Sequence, residues 1–300
     1  MRKEYILQVN GKNHFLGQKT WIMGVINVTP DSFSDGGLYF DKEKAIERGM
    51  ALEAEGADII DVGGESTKPG SDPIPEEEEL RRVIPVITTL RKRVNSLISV
   101  DTMKSDVAQA ALEVGADIIN DISSFRFDSR MPSLAAQKEA PVILMHMKGV
   151  PKTMQDNPFY EDVLLEVKTF FREKIDQAQK SGIKKEKIII DPGIGFGKRL
   201  KDNLTLINRL QIFEGFGCPI LVGVSRKSFI GKILNLPASE RLEGTIASAI
   251  LSIANGAHIL RVHDVAAVKK AVIVAEAIIN EDYSIDFSKK SLEKNDRYVL

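Results

Sequence analysis

Short apolar runs recur along the chain at Trp21 to Asn27, Ile59 to Gly63, Leu97 to Asp101, Ile118 to Asp121, Val142 to His146, Ile188 to Asp191, Ile220 to Val224 and Ile259 to Val262. Each reads as a strand covered on both faces, because the runs are short and bounded by polar or glycine-containing segments. Between them, apolar positions fall at helical spacing. Start signals support this, such as Pro75 ahead of Glu76, Glu77 and Glu78 for a segment reaching Arg93, or Asp264 opening Val265 to Ile279. Alternation of strand and helix demands parallel pairing, and eight such units without a break predict a closed (β/α)8 barrel, the TIM-barrel form of the α/β class. An open doubly wound sheet is the alternative.

One phrase, Gly-Ala-x-Ile-(Ile/Leu) followed by polar residues, occurs at Gly56 to Asp61, Gly115 to Asp121 and Gly256 to His263. Glycine ends a helix without a Cβ penalty, a buried strand follows, and the polar residues land at the strand's C-terminal end. In closed barrels those ends form the active face, so Asp61, Asn120, Asp121, Arg261 and His263 are the first residues to inspect. The expected organisation is one domain over residues 1–300. Residues 1–20 form an extension that closes on itself as a hairpin at Asn10-Gly11, and 283–300 form a polar, loosely ordered tail. The longest loops, Thr29 to Phe40 and Gly63 to Pro75, lie on the active face, where long loops usually act as lids.

Composition narrows the partners. With 300 residues and 43% apolar content the chain can bury one large core. Its 41 basic and 42 acidic residues, for a net charge of −1, give no general attraction to nucleic acid or to an anionic membrane. No apolar run approaches the roughly 18 residues needed to span a bilayer. The single Cys218 excludes an internal disulfide, the N-terminus lacks a signal-peptide core, and a cytoplasmic location is expected.

Strand alternation points Arg261 and His263 the same way, beside a helix that starts near Asp264. A guanidinium, an imidazole and helix-start N–H groups suit a phosphate or pyrophosphate, although Arg261 could instead pair with Asp264 or Asp61. Asp191 stands where a strand stops and the loop Gly193-Ile194-Gly195-Phe196-Gly197 begins. Its carboxylate can accept two parallel hydrogen bonds from a heterocycle edge bearing N–H and NH2, or it can cap the next helix. The glycine spacing is not that of a dinucleotide fold. Asp101, Asn120 and Lys227 add a carboxylate, an amide and an ammonium to the same mouth, and together the set suits a polar, planar, nitrogen-rich ligand. The four histidines show no zinc spacing, so any metal is expected to be Mg²⁺ bound through oxygen and substrate phosphate. The acidic run at Glu76 to Glu79 reads as a favourable first helical turn.

These residues resemble the dihydropteroate synthase family, the folate-pathway target of sulfonamides, along nearly the whole chain. The resemblance runs through Met23 to Gly37, Gly63-Gly64-Glu65-Ser66-Thr67, Ile98 to Asp101, Gly115 to Asp121, Met145-His146-Met147, Asp191 to Gly197, Ser225 to Gly231 and Arg261 to Asp264. It implies a TIM barrel that joins 6-hydroxymethyl-7,8-dihydropterin pyrophosphate to p-aminobenzoate by an SN1-like substitution. By similarity Asp101, Asn120, Asp191, Phe196 and Lys227 would hold the pterin, and Asn27, Arg261 and His263 the pyrophosphate, with Asn27 also a ligand of Mg²⁺. Asp101, Asp35 and Lys227 form the expected catalytic set, the carboxylates stabilising the cation, and Asp61 becomes a support beneath the ring. Phe33, Thr67, Lys68, Pro69, Phe196 and Ser228 would surround p-aminobenzoate. One departure stands out: the family's second loop usually reads Ser-Thr-Arg-Pro-Gly, whereas this chain has Ser66-Thr67-Lys68-Pro69-Gly70, and lysine lacks the planar fork of arginine. The resemblance also implies a homodimer. Two alternatives share the pterin mouth, a methyltetrahydrofolate-binding methyltransferase barrel and a non-catalytic pterin-binding subunit. Asn27, Asp35, Arg261 and His263 count against the first because it needs no pyrophosphate grip, and the intact polar ring counts against the second.

Overall fold

The computed structural model describes residues 2–29 and 38–281. Phe33, Asp35 and the 283–300 tail lie outside the described residues, so the expectations placed on them are not addressed by it.

The chain opens with β1 (Tyr5–Val9) and β2 (Lys12–Leu16), an antiparallel pair. They are joined by Asn10 and Gly11 at φ 49° and 74°, the two left-handed residues that a tight hairpin turn requires. Eight parallel strands then alternate with helices: β3 (Trp21–Asn27), α1 (Leu38–Ala54), β4 (Ile59–Gly63), α2 (Glu76–Leu90), β5 (Leu97–Asp101), α3 (Ser105–Glu113), β6 (Ile118–Asp121), α4 (Met131–Gln137), β7 (Val142–Met145), α5 (Val163–Lys180), β8 (Ile188–Asp191), α6 (Leu200–Asn208), β9 (Leu221–Val222), α7 (Ser228–Leu234), α8 (Leu242–Ala254), β10 (Ile259–Val262) and α9 (Val265–Asn280). From β3 to β8 each strand pairs with its sequence neighbours, β9 pairs with β10, and β10 returns to β3 with Arg261 opposite Met23. A parallel bridge between Ile190 and Ile220 joins β8 to the chain just ahead of β9, which completes the ring. The structure is therefore the expected TIM barrel and not an open sheet.

The repeated phrase is the joint it was read to be. Gly56, Gly115 and Gly256 adopt φ values of 98°, 111° and 103°, which a side-chain-bearing residue rarely tolerates. The following alanine N–H then reaches back to Leu52, Ala111 and Ser252 carbonyls respectively, satisfying the helix end. Three boundaries differ from the apolar runs. The strand expected over Ile220 to Val224 shrinks to Leu221–Val222, because Arg226 turns left-handed at φ 56° and the Ser225 hydroxyl takes the His263 N–H that a longer ladder would use. Helix α2 ends at Leu90 and not at Arg93, since the Arg91 guanidinium folds over the Val94 and Ser96 carbonyls. Strand β7 stops one residue short, at Met145, although the His146 N–H still reaches the Asp191 carbonyl.

Alternation sorts the side chains into two cores. Ile22, Ile26, Ile60, Val62, Ile98 and Val100 point outward and pack against the helices. Trp21, Met23, Ile59, Ile118, Ile143, Ile189, Leu221 and Ile259 point inward, where Leu7, Val9 and Leu16 of the hairpin pack among them as a plug. The lower barrel is thus a dry apolar floor. Charged side chains that the strands send inward above it are costly unless they find a partner inside the protein.

Candidate active site

Two residues along each strand from that floor, the inward positions become charged. Asp61 follows Ile59 on β4, Ser99 and Asp101 follow Leu97 on β5, Asn120 follows Ile118 on β6, Asp191 follows Ile189 on β8, and Arg261 follows Ile259 on β10. Arg261 spans the barrel: its Nε donates to Asp61 Oδ2 at 2.7 Å and its Nη2 to Asp101 Oδ2 at 2.7 Å. Asp61 also accepts from Asn120 Nδ2 at 3.2 Å. The alternative pairing of Arg261 with Asp61 is therefore present, whereas Asp264 pairs with Arg226 at 2.9 Å. No protein group among the described residues accepts from the Nη1 end of Arg261, which leaves that edge available to a ligand.

The electrostatics follow from burial. Burial pushes the Asp101 carboxyl up to about 7, with Arg261 opposing and Asp61 reinforcing the rise. Burial also raises Asp191 to about 6, against the Gly193 N–H and the cations Lys227, Arg261 and Lys198. Lys227 is lowered to about 8 by burial and by Arg261, offset in part by Asp191 and Asp101. Burial works against the Arg261 cation too, but Asp61 and Asp101 outweigh it and hold the guanidinium charged. His263 is held down at about 4 by burial and by the neighbouring Arg261, Arg226 and Lys227, so at neutral pH it is an uncharged donor or acceptor.

A second group forms beside β8. Asp191 Oδ1 accepts from the Gly193 N–H at 2.7 Å, so the carboxylate caps its own turn and not a helix, and its other oxygen accepts nothing among the described residues. Lys227, half-buried, lies 4.1 Å from the centroid of the Phe196 ring. Phe196 joins Ile122, Met145, Met147 and Met154, with Met103 at the edge, in an apolar wall. That wall was not anticipated. Its signal was the methionine content of Met145-His146-Met147, since thioethers adapt to flat, irregular ligands.

Other expected positions are placed less directly. Asn27 ends β3 opposite Gly63 and is half-buried on the inward side. His263 stands in the mouth with Nδ1 3.0 Å from the Ser225 hydroxyl. The helix start beside it is less open to an anion than the sequence implied, because the Ala266 N–H donates to Glu55, while the Asp264 carboxylate leaves the cap for Arg226. Asp121 leaves the mouth altogether. It follows Asn120, points outward, and accepts from the Ser123 and Phe125 N–H groups, which fixes the loop after β6.

Thr67, Lys68 and Pro69 lie on the rim with Lys68 and Pro69 exposed, and the exposed Ser228 opens α7. The rim loop is tied across the mouth by the Gly70 N–H to the Pro151 carbonyl and by Lys152 to Asp72. Its stem is fixed by Lys104, which bridges the buried carboxylates Glu65 and Glu79. No cluster of three His, Cys, Asp or Glu side chains that could hold a metal occurs among the described residues. None of their helices is long and apolar enough to cross a membrane.

Comparison with known proteins agrees with this geometry. The family described as pterin binding enzyme matches residues 23–263. Dihydropteroate synthase of Escherichia coli K12 is 49% identical over 86% of this chain and 92% of its own length. The structure of Xanthomonas albilineans dihydropteroate synthase with 4-aminobenzoic acid is 43% identical, covers 92% of this chain and 99% of that one, and superposes with a TM-score of 0.87. The Yersinia pestis dihydropteroate synthase in a sulfonamide drug complex is 41% identical over 92% of this chain and 99% of that one, with a TM-score of 0.86.

The Arg261 bracket yields a stability prediction. Asp61→Ala leaves a buried guanidinium short of one carboxylate, and a loss of about 3–5 kcal/mol is expected in urea denaturation. Asp264→Ala, which breaks the more exposed pair with Arg226, should cost less than about 1 kcal/mol. Equal losses would contradict the bracket.

Proposed function

We infer the division of labour in this mouth from one premise: the chain belongs to the pterin binding enzyme family and, within it, to the dihydropteroate synthases. Its reaction joins 6-hydroxymethyl-7,8-dihydropterin pyrophosphate to p-aminobenzoate and releases pyrophosphate and 7,8-dihydropteroate. The observation that carries our assignment of residues is the ring of acid, amide and base set above a dry floor. The pterin lies in that ring against the wall of Phe196 and Met145, its N–H and NH2 edge donating to Asp191. Asn120 and Lys227 meet its other polar atoms, and Asp101 faces its reactive side.

Pyrophosphate is assigned to the Nη1 edge of Arg261, the His263 imidazole and the Asn27 amide, which belong to the paired strands β10 and β3 and to the residue after β10. Asp61 and Asp101 already offset the charge of Arg261, so neutralising a pyrophosphate calls for a cation that arrives with it. The donor set fits Mg²⁺ in that form, since an ion with one amide oxygen from the protein completes its shell with substrate oxygens and water. When bound, Mg²⁺ would be held by Asn27 and would supply charge neutralisation of the leaving group.

As the C–O bond breaks, its electron pair leaves with pyrophosphate, and the electron-rich dihydropterin carries the cation on its exocyclic methylene. The carboxylate of Asp101 offsets that charge, with Asp35 as a further candidate and Lys227 holding the ring in place. The arylamine lone pair of p-aminobenzoate then forms the C–N bond, and a proton leaves the nitrogen. A neutral arylamine is nucleophilic at physiological pH, so no strong base is needed. Exclusion of water by the rim protects the cation from hydrolysis.

Thr67, Lys68, Pro69 and Ser228 form the p-aminobenzoate side, together with Phe33. The exposed ammonium of Lys68 serves as a single point charge for the carboxylate. Lys68→Arg should lower the KM for p-aminobenzoate; an unchanged KM removes Lys68 from the contacts.

Homodimerisation and a cytoplasmic setting belong to the same reading. Leu251 on α8 and Val274 and Ile278 on α9 are 57%, 60% and 71% exposed, an apolar face on two packed helices that suits a second copy of the chain. Sedimentation equilibrium should return twice the 33.2 kDa chain mass, and Ile278→Glu should return it once. Buried Cys218, free of any disulfide among the described residues, accords with a reducing compartment.

Pyrophosphate release, measured with and without p-aminobenzoate and Mg²⁺, tests the assignment. It should require both, and release that continues unchanged after Mg²⁺ removal would remove the ion from the scheme. Asp191 must be ionised to accept from the pterin edge. Because its folded pKa is about 6, pterin affinity should hold above that pH and fall about tenfold per unit below it. Asp191→Asn should weaken pterin binding and abolish the acid limb.

A further inference from the structure

Lys198 directly follows the glycine-rich loop Gly193 to Gly197, and the fold leaves it 2% accessible. Its Nζ lies 2.9 Å from the Gly193 carbonyl, 3.1 Å from those of His146 and Phe196, and 3.0 Å from His146 Nδ1. Burial and the nearby cations lower the His146 imidazole well below its usual value, so it stays neutral and can offer Nδ1 as an acceptor. Four acceptors thus surround a group that has three hydrogens as an ammonium and only two as an amine. No carboxylate among the described residues touches it. A lysine buried among backbone carbonyls does not serve as an ion pair; it replaces water for a turn that has folded away from solvent.

The turn it holds is the one that makes the pterin pocket. Gly193 donates its N–H to Asp191 Oδ1 while its carbonyl accepts from Lys198 and from the Phe196 N–H at 3.0 Å. A Cβ on Gly193, at φ 67°, would fall 1.9 Å from the His146 carbonyl, so the loops after β7 and β8 meet in direct backbone contact. Lys198 spans that seam. The rest of the loop is secured separately, by Gln155 to the Gly195 carbonyl, Tyr160 to the Gly197 carbonyl and the Gly195 N–H to Asn203.

We propose that Lys198 is a positioning residue for pterin recognition, pinning the His146, Gly193 and Phe196 carbonyls and so fixing the turn that aims the Asp191 carboxylate and the Phe196 ring at the heterocycle. This rests on the assignment of Asp191 and Phe196 to the pterin made above. The ammonium acts through those two residues and touches no substrate. Selectivity follows from the topology: the turn that Lys198 holds follows β7 and β8 and bears only the Asp191 and Phe196 part of the pterin side, whereas Asn27, Arg261 and His263 come from β3 and from β10 and the residue that follows it.

The test compares Lys198→Met, which fills the space without donors, with Lys198→Gln, which restores some of them without charge. Calorimetry is run with bare hydroxymethylpterin and with inorganic pyrophosphate. Misplacement of a recognition group by a fraction of an ångström should raise the pterin dissociation constant at least about tenfold in Lys198→Met and less in Lys198→Gln, with pyrophosphate affinity within about twofold of wild type. A pH profile adds a readout that loss of stability alone does not move. Asp191 is faced by Lys227, Arg261, Lys198 and the Gly193 N–H, and Lys198 in turn by Asp191, Lys227, Asp202 and Arg126. Removing the Lys198 charge should therefore shift the acid limb of pterin binding upward from about 6.

Pterin affinity unchanged in both variants, equal losses for pterin and pyrophosphate, or an acid limb that does not move would each overturn the proposal. Should Lys198→Met fail to fold, Lys198→Gln carries the same comparison. Asp191→Asn separates the two levels of inference. If it weakens pterin binding while the Lys198 variants do not, only the positioning role is lost; if it leaves pterin binding intact, the pterin assignment of Asp191 is what fails.

Discussion

A guanidinium held between two buried carboxylates governs the upper half of this barrel. Below Arg261, Asp61 and Asp101 the interior is closed by Trp21, Met23 and their neighbours and plugged by Leu7, Val9 and Leu16, so water cannot solvate the charges from beneath. Each buried ion would be costly alone, and pairing confines the guanidinium to one orientation. Once its Nε and Nη2 edges are committed, Nη1 is the part left to meet a ligand. The same pairing places Asp101 beside a fixed cation, and Asn120 beside Asp61 at 3.2 Å, before any substrate arrives. Catalytic groups in such a frame have little reorganising to do when charge develops.

Much of this was legible in the pattern of residues, because strand alternation and glycine joints are local rules. Gly56, Gly115 and Gly256 end helices for the reason their neighbours suggested, and Asp61, Asp101, Asp191 and Arg261 share a face because each lies an even number of residues beyond an inward apolar residue, two for Asp61, Asp191 and Arg261 and four for Asp101. The same rule separates Asn120 from Asp121, which a reading by strand end alone had grouped: adjacent residues on a strand cannot both enter the barrel, and Asp121 serves the loop outside it. Lys198 was illegible for a different reason. Its burial is created where the loops after the paired strands β7 and β8, separated in sequence by the whole of α5, fold onto each other, and no periodicity in Gly193 to Lys198 encodes that meeting. The Lys104 bridge between Glu65 and Glu79 escaped notice likewise, since its three members come from three separate stretches of chain.

The mouth also divides into parts of different rigidity. On the pterin side, Asp191, Phe196 and Lys198 are each at most 7% exposed and bound into turns by backbone hydrogen bonds. The rim that carries Thr67, Lys68 and Pro69 is anchored at its stem by buried charges but, among the described residues, is tied to the opposite loop by the Gly70 hydrogen bond and the exposed Lys152–Asp72 pair. An exposed ion pair of that kind contributes little stability. Replacing the family's arginine with Lys68 therefore alters a part of the site that the fold holds loosely. The residues we assign to the pterin are insulated from that change by the depth at which they are fixed.

That depth has a thermodynamic consequence. Asp101 and Asp191 keep their protons in the folded state up to about 7 and about 6, whereas the unfolded chain releases them near 3.8, so the folded state loses stability as pH rises through that window. Lys198 and Lys227 run the other way: their folded values of about 7 and about 8 lie below the unfolded 10.5, and their cost is present at low pH and fades as pH climbs through that interval. At neutral pH the two penalties coexist, and the fold tolerates them because the acids and bases offset one another's charge. A ligand that donates to Asp191 and accepts from Lys227 satisfies both kinds of group at once, so the arrangement that weakens the empty barrel is the one to which we assign recognition of a heterocycle with donors and acceptors along its edges.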